Sequence, residues 1–110
     1  MRLWHKHLIP LLPSAQLLGQ HRECCALRGR GWGRKHRTVD YVFEHPYSCL
    51  FRFHQLVMEE MKHRGYSVGT EWLNPEYRGK SLGYCEIDSD TGYDYPEHDD
   101  RYLCECLDNL

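Results

Sequence analysis

A mainly α, compact single-domain fold is what the sequence predicts, and three observations carry the prediction. The chain has 110 residues, enough for one domain around one core. Two stretches, one from about Ala15 to Gly29 and one from Pro46 to Arg64, space their apolar residues with a helical period. Only Thr38 to Phe43 (TVDYVF) has the β-branched and aromatic make-up of a short strand or extended connector.

The chain opens MRLWHKHLIPLLP. Its apolar run Leu8 to Leu12 is broken by Pro10, is too short for the core of a secretion signal and has no small-residue cleavage site after it. No stretch reaches the ~18 apolar residues that a membrane span needs. The chain is therefore read as cytoplasmic, with no membrane partner. In that compartment the six cysteines are expected as free thiols. Cys104-x-Cys106 and His5-x-His7 fit no standard zinc spacing, so neither a metal nor any other cofactor is expected. Arg2 is too large for removal of the initiator methionine, which assigns the free α-amine to Met1. Such an amine has an ordinary pKa of about 7.7–8.0, so around a tenth of it is neutral and nucleophilic near pH 7.

Pro10 and Pro13 keep the next residues out of a helix interior, and Ser14 is a candidate N-cap. Leu17, Leu18, His21, Cys24 and Cys25 then share one face, which is assigned to the core. Glu23 lies off that face with small neighbours, Gly19 and Ala26, about one turn to either side. The space around its carboxylate can take another chain or a ligand; the alternative is that the small residues only permit close helix packing. Arg22 stands beside it. Gly29, Gly31 and Gly33 end the helix and lead into a basic loop in which Arg28, Arg30, Arg34, Lys35 and Arg37 surround Trp32. Cations with an interleaved aromatic suit phosphate contact plus base stacking or wedging. A solvated surface loop, with Trp32 folded back as a core anchor, is the other reading.

In the second helix Tyr47, Leu50, Phe51, Val57, Met58 and Met61 form the expected buried stripe, with His54 among them as a packed histidine. Glu59/His63 and Glu60/Arg64 are spaced for i,i+4 pairing, and Gly65 is the expected stop. Residues 66–80 read as a loop, to which Arg78 and Lys80 add positive charge. The sign then reverses. Residues 1–80 hold thirteen Lys and Arg against seven Asp and Glu, whereas residues 81–110 hold Arg101 against nine acids. This divides the chain into a basic domain, 1–80, and an acidic, weakly ordered C-terminal segment, 81–110, within which Asp100 to Leu107 is expected to form a terminal turn. A basic body suits a polyanion, and an acidic end suits a solvating or competing segment.

The opening MRLW, the helix QLLGQHREC with its Arg22-Glu23, the segment VMEEMKHRGYSV and the loop PEYRGK, in that order, resemble the pyrimidine-dimer DNA glycosylases of the phage endonuclease V type. The similarity covers roughly residues 1–80. It implies a mostly helical domain with combined glycosylase and abasic-site lyase activity on damaged double-stranded DNA, acting as a monomer without a cofactor. The α-amine, here that of Met1, would attack the anomeric carbon; the base leaves, an imine forms and β-elimination cuts the strand. Glu23 would match the catalytic glutamate, and Arg22 the phosphate-binding arginine beside it. Arg2, Arg28, Arg30, Trp32, Arg34, Lys35, Arg37 and Arg78 complete the expected DNA contacts, with Trp32 as the wedge that opens the duplex. The family's next arginine after the glutamate falls at Ala26, leaving Arg28 as the nearest substitute. A non-catalytic nucleic-acid-binding module and a small interaction protein with an acidic tail remain as alternatives.

Overall fold

Both periodic stretches are helices: α1 spans Ser14–Arg28 and α2 spans Tyr47–His63. The computed structural model describes residues 2–29, 40–87 and 92–110. Pro13 and Pro46 immediately precede the two helices, where a missing N–H removes no ladder bond. The end of α2 is built by its sequence. Gly65 takes φ +89°, and its N–H donates to the Lys62 carbonyl at 3.0 Å while that of Tyr66 donates to Met61 at 2.9 Å. This is the double bond of a left-handed glycine stop.

Leu17, Cys24 and Leu27 of α1 pack with Cys49, Leu50, Phe53, Val57 and Met61 of α2 in one buried cluster. Leu18, His21 and Cys25 are only half-buried, so the core face of α1 is narrower than the apolar spacing indicated. Leu3, Leu8, Ile9 and Leu12 close the cluster from the N-terminal side, through a 3₁₀ helix at Lys6–Leu11. Arg64 fixes that side to the end of α2. Its Nη1 donates to the Leu12 carbonyl at 2.7 Å and Nη2 to Pro10 at 3.1 Å, while Nε holds the expected pair with Glu60 at 2.8 Å.

Residues 40–44 form a 3₁₀ turn rather than the strand or extended connector expected there. Among the described residues the only β pairing is a single bridge, Tyr77 to Tyr84, so a strand at that place would have no ladder partner. Burial of Val42 holds the turn instead.

The turn expected at Asp100 to Leu107 in the acidic segment is a helix, and the described residues around it pack more closely than composition led us to expect. Asp99 caps a third helix, α3 (Asp100–Asp108), by accepting the Tyr102 N–H at 2.9 Å. Tyr95 and Cys106 belong to the same buried cluster as α1 and α2, with Tyr102 and Leu103 packed against it. Asp94 takes Lys6 and Arg52 together, the latter at 2.8 Å, and Glu97 pairs with His45 at 2.9 Å. Among the described residues of this segment the acids sit outside or in ion pairs and Tyr95 and Cys106 face in, while Leu82, Tyr84, Leu107 and Leu110 stay exposed. Among the described residues no helix is long and apolar enough to cross a membrane.

Four histidines are packed in neutral form. His54 is 0% exposed, His5 2% and His98 8%. Burial lowers the pKa of each, as it does that of half-buried His21, and His98 falls to about 4. The unfolded chain therefore binds more protons than the folded one below about pH 6.5. Stability should be fully present above that pH and decline as pH drops towards 4, by up to ~1.4 kcal/mol per pH unit for each group titrating. Asp94, held near 2 by hydrogen bonds from Arg52 and Lys6, adds its own loss only at lower pH. Urea midpoints measured from pH 7.5 to 4.5 check this; a flat profile would contradict neutral packing of these rings.

Candidate active site

Glu23 projects from the third turn of α1, half-buried. Burial raises its carboxyl above the ordinary range, and the positive charges of the chain's first amine and of Arg22 act in the opposite sense. The space beside this helix face is taken by the chain's own N-terminal segment, and the connector is Gln20. Its side chain is 1% exposed and makes three bonds. Nε2 donates to the Arg2 carbonyl at 2.9 Å and to Glu23 Oε2 at 3.0 Å, while Oε1 accepts the Trp4 N–H at 2.7 Å. One amide nitrogen thus touches both the carboxylate and the backbone of residue 2. The first residue's amine is joined to that fixed point by a single residue of chain. Sequence reasoning did not single out Gln20. Its position one turn before Glu23 was visible, but nothing local reported that residues 2–4 would meet it.

Arg22 is exposed, next to Glu23. Its Nη2 lies over Gly19, 3.7 Å from where a Cβ would stand. Arg2 is half-buried, with its guanidinium carbon 5.5 Å from the Trp4 ring centre and its Nη1 buried without a hydrogen-bond partner. Arg78 stacks over Tyr47, 3.4 Å from guanidinium carbon to ring centre. Met1, Arg30, Trp32, Arg34, Lys35 and Arg37 lie outside the described residues.

Arg28 is not available to DNA. It is 0% exposed, and all five of its N–H donors are used. Nε donates to the Tyr47 hydroxyl at 2.8 Å. Nη1 donates to His54 Nδ1 at 3.1 Å and the Trp72 carbonyl at 2.8 Å, and Nη2 to the carbonyls of Asn74 at 2.8 Å and Tyr77 at 2.7 Å. Its guanidinium also lies over Phe51 and Trp72, at 5.1 and 5.0 Å from their ring centres. The expected DNA contact is therefore a buried fastener that draws the 72–77 loop onto both helices. Gly29 completes it. A Cβ there would stand 3.1 Å from the Arg78 carbonyl, so any larger residue would push the loop back by a few tenths of an ångström.

His21, Cys25 and His54 bring three potential ligand atoms within 4.8 Å of one another. Arg28 decides how they are used. A guanidinium can only donate, so His54 Nδ1 accepts and the ring's proton sits on Nε2. That proton faces His21 Nδ1 at 2.8 Å, and His21 Nε2 in turn faces Cys25 Sγ at 3.8 Å. The lone pair a metal would need on His54 Nε2 carries a proton, and the trio is a hydrogen-bond chain running outward from Arg28.

What this arrangement can do is bounded by its parts: a carboxylate of raised proton affinity, an exposed arginine beside it and a backbone anchor close to the chain's start. A sequence model of the pyrimidine dimer DNA glycosylase family matches residues 1–74. No curated protein and no solved structure matched the chain.

Proposed function

Because the chain belongs to the pyrimidine dimer DNA glycosylase family, we propose that it is a cytoplasmic DNA repair glycosylase with abasic-site lyase activity on pyrimidine-dimer-type damage in double-stranded DNA. The Met1 α-amine attacks the anomeric carbon of the damaged nucleotide, and the glycosidic bond breaks with its electron pair leaving on the base. Loss of a proton from the bound nitrogen and opening of the sugar ring give an imine. Removal of a C2′ proton then expels the 3′ phosphate and cuts the strand, and water releases the enzyme. A neutral α-amine is a usable nucleophile near pH 7. Glu23 offsets the positive charge that develops on the sugar and moves protons to and from it. Arg22 takes a flanking phosphate, while Arg30, Arg34, Lys35 and Arg37 supply further phosphate contacts and Trp32 the wedge.

The observation that supports this reading most is the Gln20 bridge, which holds the Arg2 carbonyl and the Glu23 carboxylate on one nitrogen. Nucleophile and charge-stabilising group must reach the same deoxyribose, and this bridge keeps residue 2 beside the carboxylate. Borohydride reduction in the presence of a dimer-containing or abasic duplex tests it. The expected result is a stable protein–DNA adduct whose DNA-bearing peptide begins at residue 1. Binding without an adduct would replace the enzyme with a non-catalytic module of the same fold. Absence of binding at low salt would point to an interaction protein.

A further inference from the structure

The structure assigns a positioning role to Tyr102: its hydroxyl, on a helix beyond the family-matched stretch, fixes the opening segment that leads to the N-terminal amine. The inference rests on the glycosylase reading for its functional meaning, though the anchor itself can be measured without it.

Three consecutive residues at the start of the chain are held from two sides. Gln20, from α1, takes the carbonyl of Arg2 and the N–H of Trp4. Tyr102, from α3, donates its hydroxyl to the carbonyl of Leu3 between them. Alternate groups on one edge and the intervening group on the other is the bonding pattern of an extended segment flanked on both sides. Gln20 alone would leave that segment free to roll about its own axis. The second anchor, from the opposite edge, removes this rotation and so sets where the residue before Arg2 can reach. Leu3 is 0% exposed, so no water replaces the phenol if it is lost. The Tyr102 ring is itself held by His98, 5.0 Å away between ring centres, and His5, at 6.4 Å. Deleting the hydroxyl alone therefore leaves the packing in place. The acidic segment reads on this account as one wall of the site, whatever else its charge does.

Tyr102→Phe and Tyr102→Met in the full chain test it, with three readouts: amide hydrogen exchange, the single-turnover rate of borohydride-trappable imine formation on an abasic duplex, and duplex affinity by anisotropy. For Tyr102→Phe the Trp4 amide should exchange about tenfold faster while amides within α2 keep their protection. Imine formation should slow by about tenfold, with affinity changed by less than about twofold. Tyr102→Met should show the same changes. Unaltered Trp4 exchange in the Phe variant overturns the proposal, as does faster exchange with an unaltered imine rate. Changes confined to Tyr102→Met would give the role to the ring rather than the hydroxyl, which also overturns it. A wild-type protein that forms no adduct, while its Trp4 exchange still responds to Tyr102→Phe, would refute the glycosylase reading and leave the anchor established.

Discussion

Glu23→Gln should cut single-turnover strand cleavage of dimer-containing duplex by on the order of 10²–10³-fold, the loss typical of removing one electrostatic group that serves the transition state. Duplex affinity should stay within a few-fold. The substitution keeps size and shape, and the new amide oxygen can still accept from Gln20, whose Nε2 lies 3.0 Å from the present carboxylate. The N-terminal segment should therefore stay where it is. What goes is the negative charge that answers the cationic sugar, together with the proton acceptor. Stability should change in the opposite direction. Burial raises the Glu23 pKa, so the folded state holds this proton more tightly than the unfolded state does. Above the ordinary carboxylate range that difference works against folding, and a neutral amide removes it. A variant more stable than wild type at pH 7 and nearly inactive is the expected pair of results, read by urea denaturation and by cleavage of labelled duplex. Retained turnover would remove Glu23 from the chemistry.

Arg28→Met should be the most damaging single change to the fold, costing about 3–5 kcal/mol. A methionine fills part of the volume but donates nothing. The carbonyls of Trp72, Asn74 and Tyr77 would lose their bonds at once, along with the Tyr47 hydroxyl and His54 Nδ1. For a domain of this size each kilocalorie is worth roughly 4–8 °C in midpoint, so the loss should exceed about 12 °C by calorimetry. Arg28→Lys keeps the charge but offers at most three donors in place of five, and should fall between the two. A variant within about 1 kcal/mol of wild type would show that the 72–77 loop is held by something other than this residue.

The contrast between these two residues shows how far the sequence could be read. Glu23 could be singled out as a candidate because its surroundings are local: a helix, a neighbouring arginine and small residues a turn away. The helical period of α2 and its glycine stop were legible because both are written within a turn or two of chain, although Tyr47 and Phe51 are half-buried while Cys49 and Phe53 join the core. Arg28 lies in the same stretch and was read as one more cation of the basic loop. Its partners stand 19 to 49 residues later, and no feature near Arg28 announces them. Gln20 escaped notice in the same way, because its value depends on residues 2–4 arriving beside it. In the acidic segment the turn expected at Asp100 to Leu107 is present as α3, whereas averaging the charge hid that Tyr95, Tyr102, Leu103 and Cys106 are enough to join or pack against the core.

The bond from Tyr102 to Leu3 spans 99 residues of chain. During synthesis the Leu3 carbonyl cannot meet this donor until Tyr102 has been made, so the opening segment gains the bond long after Gln20 is available to it.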